Sequence, residues 1–485
     1  MGMKAFLVFV ASLAVVTSAM GQLPGLAPTT PPDDRPRVPQ QAAQPLPLPV
    51  DAFEGSGTVD KLVPGVLKLS LLEALDRGIK HNLGLLLSQQ QTGTARADYW
   101  RSLSELLPDV SFRTSEDIQR VNLAAFGIPF TINGSSVVGP FSIFDARPTV
   151  SQRLVDLSAK SRINSSAESE KTVKFNVQNA RETVVLAVGN QYLLALADAA
   201  RLETNKAQLA TAQAILQQAL DMKKAGVAAG IDVLRAQVQM QAQQQRVLAA
   251  GSEVQQQRMR LARAIGIPLS QELELTDAVP YAPARQMNLE DALANAYSRR
   301  PEYLAAESRV RAANLSLKAA REERLPTVEV DGDYGALGRS PGSSRATYNV
   351  AAGLRIPIFQ GGRVRADVLD AQTVVNQLQM QLDNLHSKVE FEVRSAALDV
   401  KTSSDQVEVA RQSIGLAGEQ LKQAQDRYSA GVSGSLEVVQ SQEAVAGANE
   451  TYIQALYLNN VAKLELARAL GVAEQETRAF LEGRK

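Results

Sequence analysis

Two long stretches of the chain contain no proline, and they restrict the fold more than any other feature. The first lies between Pro148 and Pro268 and spans 119 residues, and the second follows Pro357 for 128 residues. Both are rich in Ala, Gln, Leu, Glu, Arg and Lys, which are good helix formers. In the first stretch, small or apolar residues recur at spacings of three and four, as in a coiled coil. These stretches predict helices that are too long to wrap a compact core and must pack side by side.

Glycine pairs divide each stretch into a long helix and a shorter antiparallel return helix. The predicted helices are 158–224 and 232–265 in the first stretch, and 363–429 and 436–470 in the second. At about 1.5 Å per residue, the longer helix of each pair is a rod of roughly 100 Å. The most apolar window, 184–200, contains Asn190, Gln191 and Asp198, which favours a packed helix face over a membrane span.

The chain is an internal duplication, and the repeat defines its architecture. Leu-Ala-Arg-Ala-Ile-Gly at 261–266 returns 205 positions later as Leu-Ala-Arg-Ala-Leu-Gly at 466–471. Earlier in each copy the offset is 218, where Leu107-Pro108 matches Leu325-Pro326. Each copy therefore reads as a short helix, a Leu-Pro stop, a β-like stretch, a long helix, a glycine turn and a return helix.

The β-like stretches have a strict period of two. After Pro326, Val328 and Val330 alternate with Glu329 and Asp331, which predicts strands with one apolar and one charged face. Strands of about ten residues with these faces are typical of outer-membrane β-barrels. Two hairpins, at about 108–154 and 326–358, give four strands, whereas the smallest such barrels have about eight. Because a bilayer tolerates only closed barrels, the chain must oligomerise to complete one.

The amino terminus indicates export. Lys4 precedes a twelve-residue apolar run, Ala5 to Val16, and the small residues of Ala19-Met20-Gly21 follow, as in a cleaved secretory signal. The run is shorter than the ~20 residues of a membrane span. The following segment is rich in proline and cannot bury enough apolar surface to order itself. The predicted division is a signal peptide at 1–21, a disordered leader at 22–64, the first repeat at 65–268, a linker at 269–286, the second repeat at 287–473 and a tail at 474–485.

Composition removes several function classes. The 51 basic and 51 acidic side chains balance, so there is no excess positive charge for nucleic-acid binding. The chain has no cysteine, which excludes disulfides, thiolate metal sites, cysteine nucleophiles and an N-terminal lipid anchor. Its two histidines, His81 and His386, lie far apart in the sequence, and no catalytic motif is present. We therefore expect no enzyme activity, no cofactor and no metal site.

The duplicated unit resembles the TolC-like outer membrane efflux protein family. The resemblance covers most of 65–475 and is carried by Ser-Arg-Arg-Pro-Glu at 298–302, by Ile-Pro-Ile-Phe-Gln-Gly-Gly-Arg at 356–363 and by the paired Ala-Gly-Val turns at 225–227 and 430–432. The first copy departs from the pattern, because 153–160 lacks the proline and paired glycines found at 357–362.

The resemblance implies a fold and a function. The fold is mostly α with transmembrane β: a homotrimer whose twelve-stranded outer-membrane barrel continues as a coiled-coil helical tunnel in the periplasm. The function is that of a passive exit duct in a tripartite efflux or type I secretion system. Its implied partners are a periplasmic adaptor and an inner-membrane transporter. The alternative is an exported periplasmic coiled-coil adaptor or structural protein, which does not account for the alternating strands. The sequence does not indicate the substrate.

The two turns are candidate sites of partner contact. Gly226 and Val227 in the first copy match Gly431 and Val432 in the second. Small residues allow another helical tip to approach, and glycine supplies turn dihedral angles. The resemblance implies that these tips meet the adaptor's hairpins. The alternative is that they are simply tight helix-helix turns.

A gate is expected beside the turns. Asp232 and Glu437 occupy equivalent positions, six residues after each turn glycine. The family has carboxylates that line the periplasmic aperture and a tyrosine that links neighbouring hairpins, and Tyr428 stands at that place. We therefore expect Glu437 to contribute to a cation-attracting ring and Tyr428 to hydrogen-bond Asp232 in a closed state, with Ser433 replacing a basic residue of the family. The alternative is that both carboxylates stabilise helix N-termini through the helix dipole.

Overall fold

The computed structural model describes residues 49, 51–127, 131, 134–227, 229–277, 281–283 and 287–482. The predicted signal peptide and most of the predicted leader lie outside these residues. The described chain divides into two compact units. The strand unit comprises 109–151 and 331–351, and the helical unit comprises the other described residues.

Four long strands form one sheet, as the period of two predicts. They are β2 (Asp109–Asn122), β3 (Val137–Val155), β5 (Thr327–Gly338) and β6 (Arg345–Arg355), in the spatial order β2-β3-β5-β6. Strands β2 and β3 are antiparallel with Val110 opposite Val150, and their register shifts between Gln119 and Val121. Among the described residues, β2 and β6 have no second neighbour, so both edges of the sheet are open.

The two faces of the sheet differ as expected. One face exposes large apolar side chains, among them Val110, Phe112, Ile118, Tyr348 and Val350. The other carries an ionic network in which Arg147 Nη1 lies 2.9 Å from Asp333 Oδ1 on the next strand and also pairs with Asp145. Large apolar side chains exposed together on one sheet face mark a surface that contacts another apolar medium or protein.

The helical unit contains two long hairpins whose bounds lie within two residues of the predicted ones. The first pairs α3 (Leu157–Lys224) with α4 (Gly230–Ala264), and the second pairs α7 (Arg363–Ser429) with α8 (Ser435–Ala469). Each predicted short helix is in fact two helices, divided at Asn82 and at Arg300. They are α1 (Leu71–His81), α2 (Leu83–Ser104), α5 (Leu289–Arg299) and α6 (Pro301–Glu322).

The main core of the helical unit lies where the shorter helices pack on α3. Val184, Val188 and Tyr192 are fully buried there, together with Leu85 and Leu261. Helix α3 contains one window apolar enough to cross a membrane, but just over half of that window is buried against other helices (56%). This burial agrees with the interpretation of 184–200 as a packed helix face.

The two copies begin their long helices in different ways, which accounts for the missing glycines of the first copy. In the second copy, Gly361 and Gly362 adopt φ of 60° and 86° before α7. In the first copy, the Asp156 carboxylate accepts the Ala159 backbone N–H at 2.8 Å and caps α3. The first copy thus uses a side-chain N-cap where the second uses a left-handed glycine turn, and both define the first residue of the long helix.

Three segments predicted as leader, linker and tail contain packed structure. At the end of the leader, Ala52 is fully buried and Phe53 packs on the main core, so disorder was the wrong expectation for 51–64. The linker contains β4 (Leu273–Leu275), which pairs in parallel with β1 (Leu67–Leu69). The tail forms α9 (Ala473–Glu482), whose Ala473 N–H donates to the buried Glu182 carboxylate at 2.7 Å. Proline content assigned the leader, and it does not detect a few anchoring apolar side chains such as Phe53.

Candidate functional site

The turn ends of the two hairpins come together in one cluster, which we call the tip cluster. All four long helices contribute to it, through small or branched apolar side chains and one tyrosine. Its buried members are Ile215, Ala219, Val233, Ala236, Ala424, Tyr428 and Val438. The predicted contact and gate residues of both copies therefore lie at the same end of the helical unit.

Both turns have the same backbone conformation. Gly226 and Gly431 have φ of 77° and 73°. Each closes its helix with a pair of hydrogen bonds: in the first turn, Val227 N–H donates to Met222 O and Gly226 N–H to Lys223 O, at 2.9 and 3.0 Å. This is a Schellman motif, which requires a left-handed residue. A Cβ on either glycine would meet no atom within 4 Å, so the dihedral angle rather than close packing accounts for the glycines within the chain.

The valines after the glycines are not held by packing within the chain. Val227 is 70% exposed and Val432 is 68% exposed. In many Schellman motifs the residue at this position packs back onto its helix. Here both side chains project into solvent at the tip, where another molecule can reach them.

Asp232 joins the two hairpins through Ser435. The sequence analysis did not predict a role for this residue. The Ser435 hydroxyl donates to Asp232 Oδ1 at 2.6 Å, and Arg235 Nη1 lies 3.7 Å from the same oxygen. Ser435 is buried at the first position of α8, whereas the equivalent first position of α4 is Gly230. Aligning the two repeats could have identified it, because the second copy has serine where the first copy has glycine.

The expected hydrogen bond between Tyr428 and Asp232 is absent from the described part of the chain. Tyr428 is 3% exposed and its hydroxyl has no described partner, whereas Asp232 is held by Ser435. Burial raises the pKa of Tyr428, and the nearby Asp232 charge raises it further. Within one chain the Ser435 hydroxyl lies across from Asp232 and takes Oδ1, so the hydrogen bond between Tyr428 and Asp232 in a closed state stays a prediction.

Glu437 is in a different environment from its counterpart in the first copy. Its carboxylate lies 3.6 Å from Arg427 Nε, and both side chains are about half exposed. The equivalent of Ser435 is Gly230, which offers Glu437 no hydroxyl. Glu437 therefore keeps a solvent-facing charge, whereas Asp232 is largely enclosed at 17% side-chain exposure.

An apolar groove runs between the return helices next to the turns. It has a volume of about 340 Å³, and Ile231, Leu234 and Val238 of α4 face Leu436 and Val439 of α8 across it. Four of these five side chains are more than half exposed. The sequence does not distinguish this groove, because its apolar residues fit the same periodicity as the helix core.

The described residues contain no cluster of three or more His, Cys, Asp or Glu side chains able to hold a metal ion. The tip places charged and hydrogen-bonding groups beside exposed apolar surface. Such a combination suits contact with a helical partner and electrostatic selection of ions.

The model of the family described as outer membrane efflux protein matches residues 75–267 and 292–472, one range in each repeat. The chain belongs to the outer membrane efflux protein family. Family membership assigns it to the outer membrane.

Individual relatives agree with this assignment. Outer membrane protein OprJ of Pseudomonas aeruginosa is 29% identical over 188 residues, which cover 38% of this chain and 39% of OprJ. The match therefore spans about two fifths of that relative's length. The probable efflux pump outer membrane protein TtgC of Pseudomonas putida is 23% identical over 417 residues and 83% of each chain. The Campylobacter jejuni CmeC outer membrane channel superposes with a TM-score of 0.72 at 16% identity, covering 86% of this chain and 90% of that one. That structural likeness establishes the fold.

Proposed function

We propose that the protein is the outer-membrane exit duct of a tripartite efflux or type I secretion system. In this role it is a passive conduit for substrates that an inner-membrane transporter delivers. The observation that carries the proposal is the open four-stranded sheet with one apolar and one charged face. Such a sheet suits a barrel wall that has lipid on one side and water on the other.

The open edges of the sheet require strands from further copies. Backbone N–H and C=O groups at an open sheet edge cannot face lipid, because leaving each without a hydrogen bond there would cost several kcal/mol of free energy. Three copies of four strands make the twelve-stranded barrel that the family resemblance implies. A homotrimer therefore accounts for both free edges and needs no other protein in the barrel.

The tip is the proposed contact surface for a periplasmic adaptor. Val227 and Val432 project from the turns, and the apolar groove between α4 and α8 lies beside them. Apolar grooves of this kind receive the apolar face of a partner helix. The transporter is a further partner of the assembly, reached through the adaptor.

The same end is the proposed aperture. Glu437 is the best-supported member of a carboxylate ring, because it is exposed and threefold symmetry would repeat it around the opening. Asp232 contributes indirectly, by holding the two hairpins of one chain together through Ser435. Tyr428 packs inside the tip cluster, and its hydrogen bond to Asp232 in a closed state remains part of the proposal.

Fractionation and efflux assays test the proposal together. Cells that lack their own exit duct should regain efflux of a fluorescent dye when they express this chain with a matching adaptor and transporter. The chain should then be found in the detergent-extracted outer-membrane fraction, with a gel mobility that changes on heating. A soluble periplasmic chain with unchanged mobility would contradict the proposal and favour a periplasmic structural role.

A further inference from the structure

One arginine on the charged face of the sheet is held down instead of projecting from it. Arg147 lies on β3, on the face that the proposed function turns toward the water-filled lumen. An arginine on an open sheet face can extend into water, but the Arg147 side chain is only 23% exposed. The cause of this low exposure lies in its immediate neighbours.

Two carboxylates hold all three nitrogens of the Arg147 guanidinium. Asp145, two residues earlier on the same face of β3, accepts from Nε at 2.6 Å and also from Nη2. Asp333 of the neighbouring strand β5 accepts from Nη1 at 2.9 Å. A guanidinium that binds a carboxylate through two nitrogens has its direction fixed as well as its charge balanced. The head group of Arg147 is therefore tied to the barrel wall from two sides.

A glycine on β5 leaves the space that this arginine fills. A Cβ built on Gly335 would lie 2.6 Å from Arg147 Cγ and 2.2 Å from Ala146 O. Gly335 is two residues after Asp333, so both lie on the same face of the strand. Its φ is not in the left-handed region. Close approach of Arg147 and β3, rather than turn geometry, accounts for this glycine.

The arginine on the other neighbouring strand differs from Arg147. Arg113 of β2 lies directly opposite Arg147 in the strand register, and it is exposed. Like charges that face each other across two strands repel. Asp145 and Asp333 reduce that repulsion by neutralising Arg147, and the three side chains together carry one more negative than positive charge. Only Arg113 of these two arginines therefore presents its charge to the water.

Charged side chains that symmetry repeats around a pore determine which ions it favours. In the proposed trimer, each copy brings its Arg147 to the same level of the barrel. Three free guanidinium groups at that level would narrow the lumen and repel cations, whereas the held groups do neither. We propose that Asp145 and Asp333 are positioning residues that hold Arg147 against the wall and so keep the barrel lumen wide and permeable to cations. The inference rests on the proposed channel and adds a determinant of its selectivity to Glu437.

Single-channel recording of the full-length oligomer in a planar lipid bilayer tests this role. Conductance is measured at about 1 M salt, where surface charge is largely screened and pore width dominates. In Asp145→Asn/Asp333→Asn, Arg147 loses both carboxylates, so we expect lower conductance and a reversal potential shifted toward anions. Adding Arg147→Gln should restore the wild-type conductance, although both carboxylates are still missing. A loss that this third substitution reverses cannot come from the missing carboxylates alone.

The matched control removes two carboxylates that do not hold Arg147. Asp109 and Asp117 lie on β2 on the same face as Arg113, and Asp109→Asn/Asp117→Asn changes the formal charge by the same amount. This variant should shift the reversal potential but keep the wild-type conductance at high salt. Arg147→Gln should not raise its conductance.

The outcomes separate this inference from the proposed function. Equal conductance in the wild type, the double variant and the triple variant would overturn the positioning role and leave Arg147 as an ion pair that joins two strands. An equal fall in the double variant and the control would also overturn it. Wild-type oligomers that pass no current would instead contradict the proposed channel.

A milder variant keeps the inference testable if the double variant assembles poorly. Asp145→Asn alone preserves the contact between Arg147 and Asp333 that links β3 to β5. It should give a smaller fall in conductance, and Arg147→Gln should reverse that fall. Unchanged conductance in assembled Asp145→Asn oligomers would overturn the positioning role.

Discussion

Replacing Gly431 by serine should destabilise the second hairpin turn, whereas the same replacement at the nearby Gly434 should not. Gly431 has φ of 73°, whereas Gly434 has φ of −87°, and an added Cβ meets no atom within 4 Å at either position. Gly431→Ser therefore introduces backbone strain without a clash. A non-glycine residue in the left-handed region costs roughly 1–2 kcal/mol. Gly434→Ser introduces no strain, and serine is a favourable N-cap for α8.

Hydrogen exchange measures this difference locally. A cost of about 1 kcal/mol corresponds to roughly fivefold faster exchange if the turn opens by that amount more often. Amides of 427–437 should exchange several-fold faster in Gly431→Ser than in wild type, and no faster in Gly434→Ser. Gly431→Asn should lie between them, because asparagine tolerates the left-handed region better than serine does. Equal exchange in the two serine variants would refute the assignment of the glycine to turn geometry.

Three further predictions concern the sheet, the aperture and a buried lysine. Val350→Arg should block assembly into the outer membrane, because an arginine facing lipid near the middle of the bilayer costs about 2–4 kcal/mol. Asn349→Arg, on the opposite face of the strand, should assemble normally. The yield of heat-modifiable oligomer distinguishes the two variants. Glu437→Gln should lower the preference for cations in reversal-potential measurements and weaken block by multivalent cations, and an unchanged preference would assign Glu437 to helix stabilisation alone. Burial lowers the pKa of Lys463 to about 8, and its ammonium donates to Ala282 O at 2.8 Å. Because the folded chain then releases this proton at lower pH than the unfolded chain, the free energy of unfolding should rise between about pH 8 and 10.5, by up to about 3 kcal/mol. Thermal unfolding followed across that range should show the rise in wild type and its loss in Lys463→Met.

The sequence predicted the helical hairpins closely because their ends depend on local chemistry. A glycine in the left-handed conformation ends the helix that precedes it. Gly226 and Gly431 therefore determine where the two turns lie. The strands were equally predictable, since a strict period of two with one charged face is incompatible with the 3.6-residue period of a helix. Both features depend on residues close together in the chain and need no knowledge of distant contacts.

The details of the tip depended on contacts between repeats, which the sequence did not reveal. Tyr428 was paired with Asp232 by analogy, but the structure places Ser435 against that carboxylate. The burial of Phe53 and the capping of α9 by Glu182 likewise depend on segments far apart in the chain. Periodicity identifies which face of a helix is apolar, but it does not say which neighbour covers that face or whether any does.

The most direct test of the proposed conduit is the current carried by the purified oligomer in a planar lipid bilayer without adaptor or transporter. A water-filled duct should give discrete conductance steps with a preference for cations, and that preference should fall in Glu437→Gln. Variants that loosen the tip, such as Ser435→Ala, should spend more time open, because they remove the hydroxyl that joins Asp232 to the second hairpin. A stable, membrane-inserted oligomer that passes no current in wild type or in the loosened variant would contradict the claim that the protein is a conduit.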